Sequence, residues 1–269
     1  MNKPSQLKLS EPIYSLNRDI QQRAETAAKT AAQHAAAVDR DARFPSEAYA
    51  SIKSERLLGI LVPTELGGEG ASISDSVDVC YTLARACAST GMIYAMHQVM
   101  VACLVRHASE SAWHRAFLGR LSSQQLLLAS STTEGQGGGD LRRSQCAVEP
   151  VDNNGIAVEK NASVISYGAQ ADAIVTTARR SPDAAASDQV LVAFEKGKYK
   201  LEPLLGWDSL GMRGTCSSGF ILRGRGEPGQ VLPEHYQKIH AQTGMPVSHM
   251  LWGATWTGIA ASAAERARA

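Results

Sequence analysis

The spacing of hydrophobic residues changes near Leu126 and changes back near Gly244, and this double change restricts the possible folds more than any other feature. Before Leu126, apolar side chains recur every three or four residues, which is typical of amphipathic helices. Between the two points, short apolar runs alternate with turn residues, which is typical of strands. The sequence therefore predicts an α+β multidomain chain: an N-terminal all-α helical domain, a middle β-sandwich or β-barrel domain, and the start of a C-terminal helical bundle.

The same changes in spacing set the predicted domain boundaries. We predict a polar tail at residues 1–14, a helical domain at 15–125, a β domain at 126–235 and the first helix of a C-terminal helical domain at 236–269. The last helical pattern is still running at Ala269, without the glycine, asparagine or proline that commonly ends a helix. We therefore expect further sequence, or a partner, to complete this helix.

Local patterns predict the individual elements. The predicted helices cover residues 16–38, 45–58, 72–87, 92–107 and 109–121, with another from residue 244. The predicted strands cover residues 126–132, 145–151, 156–158, 173–178, 189–194, 198–201 and 219–222. Ser72 with Asp75 indicates a helix start, and Ser89-Thr90-Gly91 indicates a helix break. Residues 152–155, Asp-Asn-Asn-Gly, predict a tight hairpin, and residues 224–233 predict a linker.

Composition excludes several classes of protein. The formal net charge of +1 offers no electrostatic case for binding nucleic acid or an anionic membrane. The five cysteines contain no CxxC pair, which argues against a disulfide framework and a structural zinc site. Because no apolar run approaches the roughly 20 residues of a membrane span, and no hydrophobic signal core begins the chain, we expect a cytoplasmic protein without a membrane span or a bound metal.

A glycine-rich stretch lies at the entry to the predicted β domain. The apolar run at 126–132 is followed by Thr133-Glu134, by four glycines within residues 135–139 and by Asp140. Asp140 occupies the sixth position of a dinucleotide-binding GxGxxG motif, and no Lys-Ser/Thr pair follows as in a phosphate-binding P-loop. A ligand-binding loop, a flexible linker and a tight turn all remain possible interpretations of this stretch.

Three ordered stretches resemble the motifs of the acyl-CoA dehydrogenase family of flavoproteins. Residues 133–140, Thr-Glu-Gly-Gln-Gly-Gly-Gly-Asp, are similar to that family's Thr-Glu-Pro-x-x-Gly-Ser-Asp motif. Val164-Ile165-Ser166, followed by Ala171-Asp172, is similar to its Trp-Ile-Ser/Thr motif. Residues 211–217, Gly-Met-Arg-Gly-Thr-Cys-Ser, are similar to its Gly-x-Arg-Gly-Thr-x-Ser stretch. The resemblance covers roughly residues 15–269 and implies the same helix–β–helix order.

The resemblance implies a flavin site, with FAD as cofactor, between the β domain and the C-terminal helices. Thr132 and Thr133 would meet the pyrimidine edge of the flavin, Gly139 its pyrophosphate and Ser166 its N5 side. The implied cofactor-binding residues are Thr132, Thr133, Gly138, Gly139, Ile165 and Ser166. A second interpretation of Thr132 and Thr133 is that they are strand-end residues with satisfied hydroxyls. Val164 stands where many relatives stack a tryptophan on the flavin.

The implied reaction is the α,β-dehydrogenation of an acyl-CoA thioester, with hydride transfer to N5 of FAD. Such enzymes pass electrons to electron-transfer flavoprotein or a similar acceptor and form dimers or tetramers. Most relatives carry the catalytic glutamate in the C-terminal helical domain, which here would lie beyond Ala269, and a minority carry it at the position of Ser248. We therefore assign no catalytic base, and we expect the 269-residue chain alone to be inactive and to bind FAD poorly. Two alternatives are a flavin monooxygenase on the same scaffold and a degenerate, non-catalytic subunit.

Several conspicuous side chains have structural interpretations. His97 and His107 are expected to be core or interface residues, and Glu134 is expected to bind backbone near the glycine loop. Arg213 is expected to be a solvated loop charge. Met92, Met96 and Met100 are expected to pack in the core, with an acyl-chain tunnel as the alternative.

Overall fold

The computed structural model describes residues 17–135 and 141–268. Helices occupy the first part of this range, strands the middle part and a long helical segment the last part. The predicted fold class is therefore confirmed, including its order. The polar tail at residues 1–14 and the predicted ligand residues Gly138 and Gly139 lie outside the described residues.

Five helices form the N-terminal part. They are α1 (Arg18–Arg40), α2 (Ser46–Ser54), α3 (Ile73–Ala86), α4 (Ala88–His107) and α5 (Ala112–Gln124). The capping box predicted at the start of α3 is present, since the Asp75 amide donates to Ser72 Oγ over 3.2 Å and Asp75 Oδ2 accepts the Ser72 amide over 2.8 Å. Helix α4 lies at the centre, with fifteen buried residues.

The predicted break at Ser89-Thr90-Gly91 was wrong by two residues. Helix α3 ends just before Cys87, whose backbone is extended. Helix α4 begins at Ala88, and Ser89, Thr90 and Gly91 lie in its first turn. Gly91 is needed there for packing, because a Cβ atom at this position would lie 2.7 Å from the Cβ atom of Ala84 on α3. A glycine that lets two helices pack closely therefore looks, in the sequence, like a glycine that ends a helix.

Helix α4 is long and apolar enough, by length and composition alone, to cross a membrane. Its mean hydropathy is 1.4, but 78% of the most apolar window is buried inside the protein. Such burial is typical of the core helix of a folded domain, which passes the same test of hydropathy.

The middle part consists of two sheets. Strands β1 (Leu128–Ser131), β4 (Ala173–Arg179) and β5 (Gln189–Glu195) form one sheet in the order β1-β4-β5. Strands β2 (Glu149–Val151), β3 (Gly155–Ile165), β7 (Ser218–Gly226) and β6 (Tyr199–Leu205) form the other in the order β2-β3-β7-β6. Only the β1–β4 pair is parallel among the strand pairs of the described residues.

The two sheets share a small apolar core, as expected for a sandwich. Val158 from β3 packs there with Val190 and Phe194 from β5. The hairpin predicted at residues 152–155 joins β2 to β3, and Asn153 and Asn154 take the positive φ angles of 62° and 56° that such a turn needs.

The linker predicted at residues 224–233 was wrong. Strand β7 continues to Gly226, and Pro228–Gln230 forms a short 3₁₀ turn. Gly224 serves packing, since a Cβ atom there would lie 2.6 Å from the Phe194 ring. Gly224 therefore makes room for the Phe194 ring between the sheets and is not part of a flexible linker.

The C-terminal part is one nearly continuous helical segment. It begins with α6 (Tyr236–Ile239), continues through a π-helical turn (His240–Gly244) and ends with α7 (Met245–Arg268). The apolar pattern predicts that this helix begins at Gly244, but it begins eight residues earlier, at Tyr236. A π turn inserts a residue into the helical repeat, so the earlier residues do not share the spacing of α7.

Helix α7 crosses α3 at Gly258. A Cβ atom at Gly258 would lie 2.5 Å from the Tyr81 carbonyl oxygen and 3.2 Å from the Ala84 Cβ atom. Replacing Gly258 with leucine is expected to lower the free energy of unfolding by about 1–3 kcal/mol, because the overpacked helices must separate.

Urea unfolding followed by circular dichroism measures this effect, and Gly253→Leu is the matched control. Nothing lies within 4 Å of a Cβ atom at Gly253, so leucine there should be neutral or slightly stabilising. Equal stability of the two variants would contradict the assigned helix crossing.

Candidate functional site

A cavity of about 320 Å³ lies where α4, the sandwich and the C-terminal helices meet. Its volume is at the lower end of the range for small-molecule pockets. Helix α4 contributes Met96, Val99, Met100 and Cys103. The sandwich contributes Ser130, Thr132, Thr133, Val164, Ser166 and Leu191, and the loop after residue 140 adds Leu141. The C-terminal segment contributes Tyr236, Ile239, His240, Gly244, Ser248 and Trp252. We call this space the central cavity.

Larger grooves run over the surface, one of about 590 Å³ along α1 and α3 and one of about 750 Å³ beside β6 and β7. None of the predicted ligand residues that the structure describes lines either groove. The central cavity is the candidate site because motifs far apart in the sequence meet there.

The structure brings three of the predicted residues together. Thr132, Thr133 and Ser166 all line the central cavity, together with Val164. The Ile165 side chain instead lies in the hydrophobic core, fully buried, so only its main chain is near the cavity wall. Met96 and Met100 line the cavity, whereas Met92 is a core residue outside the lining.

Strand β1 presents Thr132 and Thr133 to the cavity and is held from both sides. The Leu128 amide donates to His97 Nδ1 on α4 over 3.0 Å, and the Tyr167 hydroxyl donates to the Leu128 carbonyl over 3.1 Å. Thr133 Oγ1 accepts a hydrogen bond from Ser163 Oγ on β3 over 3.1 Å. The cavity edge of β1 is therefore fixed before any ligand binds.

A chain of hydroxyl groups joins Ser166 to the third sequence motif. Ser166 Oγ lies 2.9 Å from Ser217 Oγ, which lies 2.8 Å from Thr215 Oγ1. The Thr215 hydroxyl donates to the Met212 carbonyl over 2.9 Å, and the Tyr167 amide donates to the Thr215 carbonyl over 2.8 Å. The third motif thus does not line the cavity, but it supports Ser166 from behind, although the two motifs are about fifty residues apart in the sequence.

Sequence reasoning missed the residues that the π turn supplies. His240 lies in that turn and lines the cavity, and burial, with a smaller contribution from His249, lowers the pKa of His240. The His107 Nε2 atom lies 2.8 Å from Thr243 Oγ1, so His107 ties α4 to the turn, as its predicted interface role requires. A π turn often marks a functional site, but no local sequence signal predicts it here.

Trp252 lines the cavity from α7. Its indole Nε1–H is buried without a hydrogen-bond partner among the described residues. A buried indole donor that lacks a partner is uncommon in folded proteins. Ser248, one helical turn earlier, lines the same wall and donates its hydroxyl to the Met245 carbonyl over 2.9 Å.

Glu134 has the structural role predicted for it. Its carboxylate accepts the Gln145 amide over 2.7 Å and the Ser144 hydroxyl over 2.5 Å, and it lies 3.4 Å from Lys160 Nζ. Burial opposes ionisation, but the two hydrogen bonds and the Lys160 charge together lower the pKa of Glu134. None of the described residues that line the cavity is a carboxylate.

Arg213 makes its contacts within its own loop. It donates to the Ser209 carbonyl over 3.4 Å and lies 3.6 Å from the Asp208 carboxylate. In the part of the chain that the structure describes, no group of three or more histidine, cysteine or acidic side chains is arranged to hold a metal ion.

Comparisons with known proteins agree with this architecture. The acyl-CoA dehydrogenase N-terminal domain family matches residues 17–125. Mitochondrial isovaleryl-CoA dehydrogenase of Oryza sativa subsp. japonica is 31% identical over 201 residues, which is 72% of this chain and 48% of that relative. The chain therefore spans about half the length of the curated relatives it matches.

Solved structures with the same fold include a dehydrogenase and a monooxygenase. Butyryl-CoA dehydrogenase from Megasphaera elsdenii superposes with a TM-score of 0.82 at 17% identity, over 95% of this chain and 68% of that chain. FMN-bound TdsC, a dibenzothiophene monooxygenase from Paenibacillus sp. A11-2, superposes with a TM-score of 0.81 at 21% identity, over 93% of this chain and 64% of that chain. From the matched N-terminal domain, the dehydrogenase relatives and the shared fold together, the chain belongs to the acyl-CoA dehydrogenase family.

Proposed function

We propose that this chain forms the flavin and acyl-thioester site of an FAD-dependent enzyme that dehydrogenates an acyl-CoA at its α,β bond. One observation supports the proposal most strongly. Thr132, Thr133 and Ser166 are the residues for which the family motifs imply flavin contact, and they line the same cavity between the sandwich and the helices.

The residues of the central cavity fit a flavin. Met96, Met100 and Val164 offer apolar walls to a flat ring, and Thr132 with Ser166 offers hydrogen-bonding groups to a polar edge. Trp252 adds an aromatic side chain from the opposite helix. A flavin supplies an acceptor for a hydride, and the groups around its ring tune that chemistry.

The protein's own contribution follows from the positions of these groups. Donors at the end of β1 would favour negative charge on the polar edge of the ring, since preorganised dipoles act strongly where water is excluded. With a flavin bound, the apolar side chains of α4 would limit the access of water beside that edge. Removal of the substrate α-proton needs a base, and the described lining offers no carboxylate for it.

The proposal extends to partners. An acyl-CoA is the proposed substrate, and electron-transfer flavoprotein or a similar acceptor would reoxidise the flavin. Exposed apolar side chains on the C-terminal helix support self-association, since Met245, Met250 and Trp256 are 44%, 46% and 56% exposed.

A flavin monooxygenase is the second candidate. It is supported by the fold shared with TdsC, a monooxygenase that binds FMN. Such an enzyme needs oxygen and a source of reduced flavin but no glutamate base. Anaerobic bleaching of the flavin by an acyl-CoA would favour dehydrogenation, and oxygen-dependent hydroxylation of a substrate with a flavin reductase present would favour the alternative.

Flavin titration tests the shared part of both proposals. FMN is expected to change fluorescence on binding, and FAD to bind only weakly, as expected from the sequence. Ser166→Ala should weaken FMN binding by about fivefold, the effect of one hydrogen bond. Ser123→Ala, on the exposed face of α5, is the matched control and should bind like the wild type. If neither flavin binds the wild type, this chain alone does not form the proposed flavin site.

A further inference from the structure

Lys160 is fully buried between the two sheets. It lies on the inner face of β3 between the buried residues Val158 and Ala162, while its neighbours Glu159 and Asn161 face outward. Its ammonium group donates to the Thr177 hydroxyl over 2.6 Å and to the Thr177 carbonyl over 2.9 Å. Burial lowers the pKa of Lys160, which reflects the cost of holding a charge in the sandwich.

The opposite charge is Glu134, 3.4 Å from Lys160 Nζ. Glu134 directly follows Thr133 of the cavity wall, and its side chain is only 11% exposed. The same carboxylate binds Ser144 and Gln145, so it joins the exit of β1 to the chain segment that leads into β2. One ion pair therefore connects the cavity edge of β1 to the middle of β3 and, through Thr177, to β4.

A contribution to the free energy of unfolding is only a weak explanation for a buried ion pair such as Lys160 with Glu134. Buried ion pairs often contribute little or nothing, because desolvation of two charges offsets their attraction. An apolar residue at position 160 would match the inner face of β3, where the neighbours are Val158 and Ala162. An apolar residue at position 160 could not bind the Glu134 carboxylate, and so it could not fix the direction in which the chain leaves β1.

We propose that Lys160 is a positioning residue of the central cavity. Through Glu134 it holds the main chain at Thr132 and Thr133 in place for the flavin edge, a role that rests on the proposed flavin site. The Gly135 amide, which donates to the Asn161 carbonyl over 3.1 Å, continues the same attachment of this segment to β3.

The test separates positioning from stability with three variants. Lys160→Met leaves Glu134 buried without its cation and should lower both stability and FMN affinity. The double variant Glu134→Met/Lys160→Met removes both charges and should regain much of the stability, but not the affinity. Val190→Ala opens the core between the sheets but leaves both charges in place, and it should lower stability alone.

Two readouts are measured on each variant. Hydrogen exchange without flavin should show faster exchange at residues 130–135 in both Lys160 variants and not in Val190→Ala. FMN affinity by fluorescence titration should fall by about tenfold in both Lys160 variants and stay near the wild-type value in Val190→Ala.

Slow exchange at residues 130–135 in the double variant, or unchanged FMN affinity there, would overturn the positioning role. If the wild type binds no flavin, the proposed function fails, and the exchange measurement alone still decides whether Lys160 orders this segment.

Discussion

Replacing His97 with leucine is expected to lower the free energy of unfolding by about 1–3 kcal/mol, the usual cost of leaving a buried hydrogen-bonding group without its partner. His97 is fully buried and joins two parts of the chain. Its Nδ1 accepts the Leu128 amide over 3.0 Å, so its proton is on Nε2, which donates to the Leu58 carbonyl over 2.9 Å. Leucine fills a similar space but leaves the Leu128 amide buried without a partner.

The same histidine makes stability depend on pH. Burial lowers the pKa of His97 to about 4, below the ordinary value of 6.5 that applies in the unfolded chain. The unfolded state therefore binds a proton first, and the stability contributed by neutral His97 is complete above pH 6.5 and lost as pH falls towards 4. Unfolding in urea at several pH values should show a shallower slope in this window for His97→Leu.

His34→Leu is the matched control, since the His34 side chain is 37% exposed on α1. It should change the stability at pH 7 much less than His97→Leu does. His114, whose pKa burial also lowers to about 4, keeps part of the acid sensitivity in every variant. A His97→Leu protein as stable as the wild type, or one with the full wild-type slope, would contradict the structural role of His97.

The order of helices and strands was predictable because it depends on local periodicity. Turn chemistry was equally informative at Asn153 and Asn154, where the required positive φ angles are accessible to asparagine. The errors occurred where glycine serves packing. Gly91 allows helix α3 to pack closely against α4, and Gly224 makes room for an aromatic ring. No sequence rule separates such a glycine from one that forms a turn.

The candidate site was predictable only where a motif identifies it. Thr132, Thr133 and Ser166 belong to motifs, and the structure brings them to one cavity. His240 belongs to no motif. Because the π turn shifts the helical repeat, the spacing of apolar residues does not predict that His240 faces the cavity. Lys160 was missed because the strand was predicted to end at residue 158, and a lysine beyond it has the composition of an exposed surface.

Replacing Ser248 with glutamate is expected to raise the rate of anaerobic flavin reduction by an acyl-CoA by about 10²–10⁴-fold, the usual contribution of a positioned general base. Ser248 lines the central cavity. By ungapped counting, the family resemblance places there the glutamate that a minority of relatives carry. It is only partly buried, so a carboxylate there would stay hydrated enough to be ionised near neutral pH.

The measurement is stopped-flow absorbance of the flavin after mixing the FMN- or FAD-loaded chain with an acyl-CoA in the absence of oxygen. Ser248→Gln has the same size without the charge and controls for altered packing. The wild type should react slowly, because the described cavity wall contains no carboxylate to take the α-proton. A wild type that already reacts rapidly would place the base outside the described lining. A glutamate variant no faster than Ser248→Gln would show that α7 does not bring position 248 to the substrate, and the dehydrogenase proposal would lose its geometric support in favour of the monooxygenase.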